Sequence, residues 1–201
     1  MSQHKIITIS RQYGSGGRIV AQKLADALGI PFYDNELITM AAEKTGLSVE
    51  CFKDAEKTSV GNLFFSLTSL TPTLDSVGLP LNEKIFLVQS QVIKEVAAEG
   101  SCVIVGRSAD YVLENNPNVI NVFLQADLPD RVQRAIEAYG QDAEGAEAMV
   151  VKTDKRRANY YNYFTGRKWG KAENYDLILN TSRMGLDDIV EVIKTYVALR
   201  K

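Results

Sequence analysis

The first candidate for chemistry is a run of four small residues near the N-terminus: Gly14, Ser15, Gly16 and Gly17. The apolar, β-branched run Ile6–Ile9 before it predicts a buried strand, and the pattern from Arg18 to Leu28 predicts an amphipathic helix. A strand, a glycine-rich turn and a helix let backbone N–H groups surround an anion at the positive end of the helix. Arg11 and Arg18 add positive charge on either side. We therefore expect a phosphate-binding loop, and a glycine-rich turn without a ligand is the alternative.

The loop departs from the Walker pattern GxxxxGK[ST]. With Arg18 in the lysine's place, Gly17 fits, but Gln12 stands where the first glycine belongs. One residue back, Gly16 fits, while Arg11 replaces the first glycine and Gly17 replaces the lysine. Neither register supplies the lysine or, next to it, the hydroxyl that holds Mg²⁺. The spacing also differs from the GxGxxG dinucleotide fingerprint.

Composition restricts the class of protein. The 201 residues are 45% hydrophobic and 24% charged, which suits one globular domain. A net charge of −2 argues against a general nucleic-acid binder. No stretch approaches the ~20 apolar residues of a membrane span, and the start MSQHK leaves no room for a signal peptide. We expect a cytoplasmic protein with neither a nucleic acid nor a membrane as partner.

The cysteine and histidine inventory narrows the chemistry further. Cys51 and Cys102 are the two cysteines, and both are predicted to be reduced structural thiols. His4 is the single histidine and lies near the N-terminus. Histidine-based metal sites and Ser/His/Asp triads are therefore nearly excluded.

Strand and helix patterns alternate along most of the chain. Four further strands are predicted: Ile30–Asp34, Cys102–Gly106, Val119–Leu124 and Tyr175–Leu179. Helices are predicted around and between them: Glu36–Lys44, Asn82–Glu99, Ala109–Leu113, Asp130–Tyr139, Glu144–Phe164 and Leu186–Leu199. This alternation predicts an α/β fold, in which a five-stranded parallel sheet lies between two helical layers.

The segment 45–81 does not follow this alternation. Gly46–Ala55 is a candidate short helix, and the chain from Thr58 to Pro80 is rich in Ser, Thr, Gly, Pro and Leu without a clear period. Long irregular segments in compact domains are usually lids, binding loops or disordered. Phe64 and Phe65 could pack on a partner subunit or close over a substrate, and the sequence does not decide between these.

Charged residues follow two of the predicted strands. Asp34 ends the second strand, where it could cap the next helix or face a ligand at the carboxyl edge of the sheet. Arg107 follows the central strand directly. The predicted helix Glu144–Phe164 has a basic and aromatic second half, which fits side chains closing on phosphates, a solvated face or, less economically, RNA.

Six motifs, in order along the chain, resemble the cytidylate kinase-like family of P-loop proteins on the nucleoside monophosphate kinase fold. They are ISRQYGSGGR, IPFYDNELI, CVIVGRSADYVL, VFLQADLPDRVQRAI, DKRRANYYNYFTG and NYDLILNTSRMGLDDIVEVI. The resemblance covers nearly the whole chain. It implies one kinase-like domain over residues 1–201, with an acceptor-binding insertion at 45–81 and a helical lid at about 140–170.

The resemblance also implies roles for single residues. Gly14 to Arg18, with Arg11, would hold the phosphates of ATP; Asp34 would face the acceptor nucleotide, and Arg107 would grip its phosphate. Four arginines fall where the family carries lid arginines, which neutralise the transferring phosphoryl group: Arg131, Arg134, Arg156 and Arg157.

One departure concerns the acids around Gly106 and Arg107, since cytidylate kinases carry a carboxylate on both sides of this pair. Asp110 is the nearest remaining acid, and it could hold Mg²⁺, orient the acceptor or be a surface carboxylate. Tyr161 is a further candidate for acceptor binding. The resemblance implies an ATP-dependent, Mg²⁺-assisted kinase with CMP or dCMP as the first acceptor to test. A nucleotide-binding sensor and a kinase for another small acceptor are the alternatives, and a homo-oligomer is compatible with each.

Overall fold

Five parallel strands form one sheet in the order β2-β3-β1-β4-β5. A computed structural model describes residues 4–52 and 80–200 of the chain. The strands are β1 (Ile6–Arg11), β2 (Phe32–Tyr33), β3 (Cys102–Val105), β4 (Val119–Gln125) and β5 (Leu177–Asn180). Because β1 pairs with both β3 and β4, it occupies the centre of the sheet. The predicted five-stranded parallel sheet is confirmed.

Seven α-helices lie wholly within the described part of the chain. They are α1 (Gly17–Leu28), α2 (Glu36–Thr45), α3 (Leu81–Glu99), α4 (Ala109–Val112), α5 (Leu128–Glu137), α6 (Ala146–Thr165) and α7 (Leu186–Leu199). Residues 49–52 are also helical, within the predicted helix Gly46–Ala55. The rest of that helix and the predictions for Phe64 and Phe65 lie outside the described residues.

The sheet separates two apolar cores, as a three-layer αβα fold requires. Strand β3 shows the division, because its side chains alternate between faces. Cys102 and Ile104 pack in the core formed with α2 and α3, whereas Val103 and Val105 pack in the core formed with α1 and α7. All four side chains are buried, as expected of a parallel strand covered on both faces.

Strand ends determine which residues meet at the site. Strand β1 continues two residues past the predicted Ile9, because Ser10 and Arg11 pair with β4. Strand β2 is shorter than predicted, since only Phe32 and Tyr33 pair with β3. The carboxyl ends of parallel strands lie at one edge, so Arg11 and the residues after β2 and β3 come together there.

Within residues 4–52 and 80–200, no helix combines the length and the apolar character needed to cross a bilayer.

Candidate active site

A cavity of about 440 Å³ opens at the carboxyl edge of β1, β2 and β3, beneath α6. Its lining includes five arginines: Arg11, Arg18, Arg107, Arg156 and Arg157. Asp34 is the one carboxylate among the lining residues of this cavity. The remaining lining is Ser10, Asn35, Ile38, Gly106, Ser108, Tyr160, Tyr161 and Trp169. This excess of positive charge suits an anionic ligand.

Asp34 is surrounded by three of these arginines. Its Oδ2 accepts a hydrogen bond from Arg18 Nε at 2.7 Å, and its Oδ1 lies 3.4 Å from Arg107 Nη1 and 3.9 Å from Arg11 Nη2. The side chains of Asp34 and Arg107 are each 7% exposed, whereas that of Arg18 is 59% exposed. Asn35 stands at the N-cap of α2 and makes no side-chain capping bond. The structure therefore places Asp34 in an ion-pair cluster facing the cavity.

The turn after β3 orients Arg107. Gly106, Arg107 and Ser108 all have positive φ angles, of 75°, 51° and 52°. Two consecutive non-glycine residues in this region carry backbone strain, which concentrates at functional sites. The turn allows Arg107 Nη1 to donate both to Asp34 and to the carbonyl of Val105, each at 3.4 Å. The guanidinium is thus fixed at the cavity wall.

The glycine-rich loop is held by contacts from later parts of the chain. Ser15 is fully buried, and its hydroxyl donates to the carbonyl of Gln12 at 2.9 Å. Thr181 donates to the carbonyl of Ser15 at 2.8 Å, and Arg134 Nη1 donates to that of Gly14 at 2.6 Å. Arg134 therefore supports the loop backbone, and it is not among the residues that line the cavity.

Arg131 also contacts the loop outside the cavity lining. Its Nη1 pairs with Asp154 Oδ2 and lies 3.4 Å from the carbonyl of Tyr13. Asp154 Oδ1 accepts from the backbone N–H of Tyr13 at 2.7 Å. Asp154 thus joins α6, α5 and the loop.

Arg156 and Arg157 of α6 both line the cavity, and their role in a lid stays a prediction. Arg157 Nη1 donates to the carbonyl of Arg11 at 3.0 Å, and its guanidinium lies 5.5 Å from the ring centroid of Tyr13. Burial lowers the pKa of Arg157, although the nearby Asp154 carboxylate opposes that shift. An arginine held in this way offers a fixed cation to a ligand.

Asp110 is buried behind the cavity wall and does not line the cavity. Tyr161 donates a hydrogen bond to its Oδ2 at 2.7 Å, whereas its Oδ1 is buried with no hydrogen-bond partner. Burial raises the pKa of Asp110, and the hydrogen bond from Tyr161 partly offsets this. Burial, with the neighbouring Asp110, also raises the pKa of Tyr161. The pair links α4 to α6.

The described carboxylates do not form a cluster of metal ligands. Among residues 4–52 and 80–200, no group of three or more His, Cys, Asp or Glu side chains could hold a metal. Asp34 is engaged by arginines and Asp110 by Tyr161. Enzymes that use Mg²⁺ with nucleotides commonly bind it through one or two carboxylates and the substrate's phosphates. We assign no metal ligand to this chain.

The site contains three further residues to which the sequence analysis assigned no individual role. Tyr160 and Trp169 line the cavity, and Asp154 connects the loop to α6. The sequence could have indicated Asp154, because it is the one acidic residue within the basic stretch KTDKRRANYY. Trp169 follows the helix and carries no spacing signal that would place it at a cavity.

Comparisons with known proteins agree with this geometry. The family model described as "Cytidylate kinase-like family" matches residues 6–183. The cytidylate kinase of Methanopyrus kandleri is 24% identical over 201 residues, covering 96% of this chain and 92% of that enzyme. The cytidylate kinase of Ignicoccus hospitalis is 26% identical, covering 94% of this chain and 96% of that enzyme.

Solved structures show the same fold. An uncharacterized protein from Eubacterium ventriosum matches with a TM-score of 0.72 and 29% identity, over 98% of this chain and 99% of that chain. Shikimate kinase from Bacteroides thetaiotaomicron matches with a TM-score of 0.58 and 17% identity, over 98% and 100%. The latter likeness concerns the fold alone. The family model matches most of the length of this chain, and the chain therefore belongs to the cytidylate kinase-like family.

Proposed function

We propose that this protein transfers a phosphoryl group from ATP to a nucleoside monophosphate, with CMP or dCMP as the first acceptors to test. The observation that carries the proposal is the cluster of Asp34 with Arg11, Arg18 and Arg107 in a cavity lined by five arginines. It lies at the edge where open parallel sheets bind ligands. Membership of the cytidylate kinase-like family supports the same chemistry.

The proposed reaction forms a bond between an acceptor phosphate oxygen and the γ-phosphorus of ATP. The bond from that phosphorus to the β–γ bridging oxygen breaks, so that the products are a nucleoside diphosphate and ADP. Such transfers depend on positioning and on stabilising the phosphate charge. Arg107 would bind the acceptor phosphate, and the loop N–H groups of Gly14 to Gly17 would bind donor phosphates.

The residues from α6 would act from above the cavity. We assign Arg156 and Arg157 to charge neutralisation during transfer, and residues of about 140–170 to a lid. Tyr161 would form part of the acceptor wall, with Asp110 holding its hydroxyl. Asp34 would accept hydrogen bonds from the acceptor after its arginine partners turn to phosphate.

A second candidate is a protein that binds nucleotides with little or no transfer. Gly17 stands at the first position of α1, and in one register of the Walker pattern this is the lysine's place. An absent cation would reduce transfer far more than binding, because the developing charge is greatest in the transition state.

A third candidate is a kinase for another small anionic acceptor. The lining of this cavity contains guanidinium groups, which bind carboxylates as well as phosphates. Shikimate kinases share the fold of this chain, so their acceptor belongs in the test panel.

An ADP-release assay with all nucleoside monophosphates, their deoxy forms and shikimate separates these candidates when it is combined with calorimetry for ATP. Turnover with CMP or dCMP is the expected result. ATP binding without turnover of any acceptor would favour the sensor, and turnover of shikimate alone would favour the third candidate. Failure to bind any nucleotide would exclude both nucleotide functions.

The Arg107→Ala variant tests the site itself. It should raise the acceptor KM about tenfold or more, while the affinity for ATP changes little, since one charge-assisted contact is lost. Lys23→Ala is the matched control, because Lys23 is an exposed cation paired with Asp187 on the surface. Unchanged acceptor saturation in Arg107→Ala would remove this residue from the acceptor site.

A further inference from the structure

The side chain of Arg11 lies in the space that a side chain at position 17 would need. A Cβ built on Gly17 would stand 2.6 Å from Arg11 Cβ and 2.8 Å from Arg11 Cγ, closer than real Cβ atoms come to other heavy atoms. A lysine at position 17 therefore cannot share this space with Arg11 unless one of them moves.

Gly106 makes room for the other end of the same side chain. A Cβ on Gly106 would overlap Arg11 Nη1. The guanidinium thus rests against the turn after β3, and its Nη2 lies 3.9 Å from Asp34 Oδ1. Arg11 spans the distance from the N-terminus of α1 to the carboxylate that faces the proposed acceptor. Its backbone is fixed as well, because its carbonyl accepts a hydrogen bond from Arg157.

The start of α1 and the direction of the Arg18 side chain together favour one of the two Walker registers. Helix α1 begins at Gly17 with Gly16 as its N-cap, which matches the register with Gly17 in the lysine's place. Arg18, the candidate lysine of the other register, directs its Nε to Asp34 instead. In the register with Gly17 in the lysine's place, the two departures from the Walker pattern are an exchange of residue types. A cation stands where the pattern has its first glycine, and a glycine stands where the pattern has its lysine.

We propose that Arg11 supplies the cationic contact to the donor's β- and γ-phosphates that the lysine supplies in the Walker pattern. This inference rests on the proposed function, since it assumes that the loop binds a nucleoside polyphosphate. The cation reaches the site from the end of β1 rather than from the start of α1. Gly17 is then required because Arg11 occupies its side-chain space. A planar guanidinium can contact two phosphate oxygens at once, which a single ammonium does not reproduce.

Exchange of the two residues tests this directly. The variants are Arg11→Met, Gly17→Lys and the double variant Arg11→Gly/Gly17→Lys, with Lys23→Ala as the control. Arg11→Met keeps an aliphatic stem beside Gly17 and removes the charge. Calorimetry with ADP and with AMP gives the binding readout, a coupled assay gives kcat, and thermal unfolding verifies that each variant is folded.

Arg11→Met should bind ADP about tenfold more weakly, with a smaller change for AMP, and should lower kcat by about 10²-fold. Gly17→Lys alone should lower both thermal stability and ADP affinity because of the overlap with Arg11. The double variant should recover ADP affinity relative to Arg11→Met. Lys23→Ala should match the parent in every readout.

Two results would overturn the role of Arg11 while leaving the proposed function intact. One is an unchanged ADP affinity in Arg11→Met when the parent binds ADP. The other is a folded double variant that binds ADP no better than Arg11→Met does. A parent that binds neither ADP nor ATP would instead refute the proposed function, and the role of Arg11 with it.

Discussion

The carboxylate of Asp154 accepts a hydrogen bond from the backbone N–H of Tyr13, with 2.7 Å between nitrogen and oxygen. Tyr13 belongs to the glycine-rich loop, and Asp154 lies in α6, 141 residues later. The other oxygen of the same carboxylate pairs with Arg131 of α5. A helix that supplies two cavity arginines is thereby tied to the loop that is proposed to bind the donor phosphates.

Asp154→Ala should lower the free energy of unfolding by about 3–5 kcal/mol, because it leaves the buried Arg131 without its acid. The side chains of Arg131 and Asp154 are 9% and 15% exposed. Urea unfolding measures the change. Asp187→Ala is the matched control, since it breaks the surface pair with Lys23 and should cost no more than about 1 kcal/mol. Equal losses in the two variants would contradict a buried linking role for Asp154.

Asp34→Asn should make the protein more responsive to inorganic phosphate. The substitution removes the negative charge that three arginines contact. It should lower the free energy of unfolding by about 1.5–3 kcal/mol, the usual range for a hydrogen bond to a charged group. The released guanidinium groups should then bind an anion, which stabilises the folded state by mass action. Thermal unfolding with phosphate, at ionic strength matched with NaCl, checks this. A phosphate-induced rise in Tm no larger than that of the parent would count against it.

Gly14→Ala should destabilise the protein by more than about 3 kcal/mol, because overpacking and backbone strain add together. Gly14 has a φ of 78°, and a Cβ there would overlap the backbone of Arg131. Gly29→Ala is the control, because Gly29 has a similar φ of 64° but nothing within 4 Å of its added Cβ. Denaturant unfolding of both variants separates close packing from φ strain. Similar losses would show that the loop does not need this approach to α5.

The pair of Asp110 and Tyr161 should give stability a measurable pH dependence. Burial raises the pKa of Asp110 in the folded state above its ordinary value of 3.8. The folded state therefore binds this proton more tightly than the unfolded state does. Stability from this group should rise as pH falls through the raised pKa, and it should be lost as pH rises.

Asp110→Asn should remove that contribution, so the difference in unfolding free energy between variant and parent should change as pH rises from the ordinary pKa of 3.8 through the raised pKa of the folded state. Tyr161→Phe removes a hydrogen bond that lowers the pKa of Asp110, and it should shift the same transition to higher pH. Urea unfolding across a pH series gives both curves. Parallel curves for the parent and Asp110→Asn would show that Asp110 does not titrate differently on folding.

The sequence predicted the sheet well, because unbroken apolar runs such as Cys102–Val105 have one stable position in an αβα fold. It predicted strand ends less well. Arg11 extends β1 only because β4 is long enough to pair with it, and that pairing is a tertiary property. The second strand was predicted over five residues, yet pairing with β3 is limited to Phe32 and Tyr33.

For the site residues, positions along the chain could be predicted, but the directions of the side chains could not. Its position at the end of a parallel strand predicted that Asp34 could face a ligand, and the family resemblance implied a ligand contact for Arg107. The structure brings the two side chains within 3.4 Å of each other. The directions of long side chains could not be predicted. Arg131 and Arg134 extend to the loop backbone, and Arg11 lies over Gly17, because each follows the nearest available acceptor or free space.

The strand order also has a consequence for how this site can diversify. Asp34 and Arg107, which we propose to face the acceptor, follow β2 and β3 at one side of the sheet, whereas the glycine loop follows the central β1. If the proposed function holds, mutations in the turns after β2 and β3 should alter which acceptor is recognised without altering the loop. Arg11 contacts both parts, because its side chain extends from Gly17 of the loop to Gly106 and Asp34. An engineered change of acceptor should begin with those outer turns and keep Arg11, Gly17 and Gly106 together as one unit.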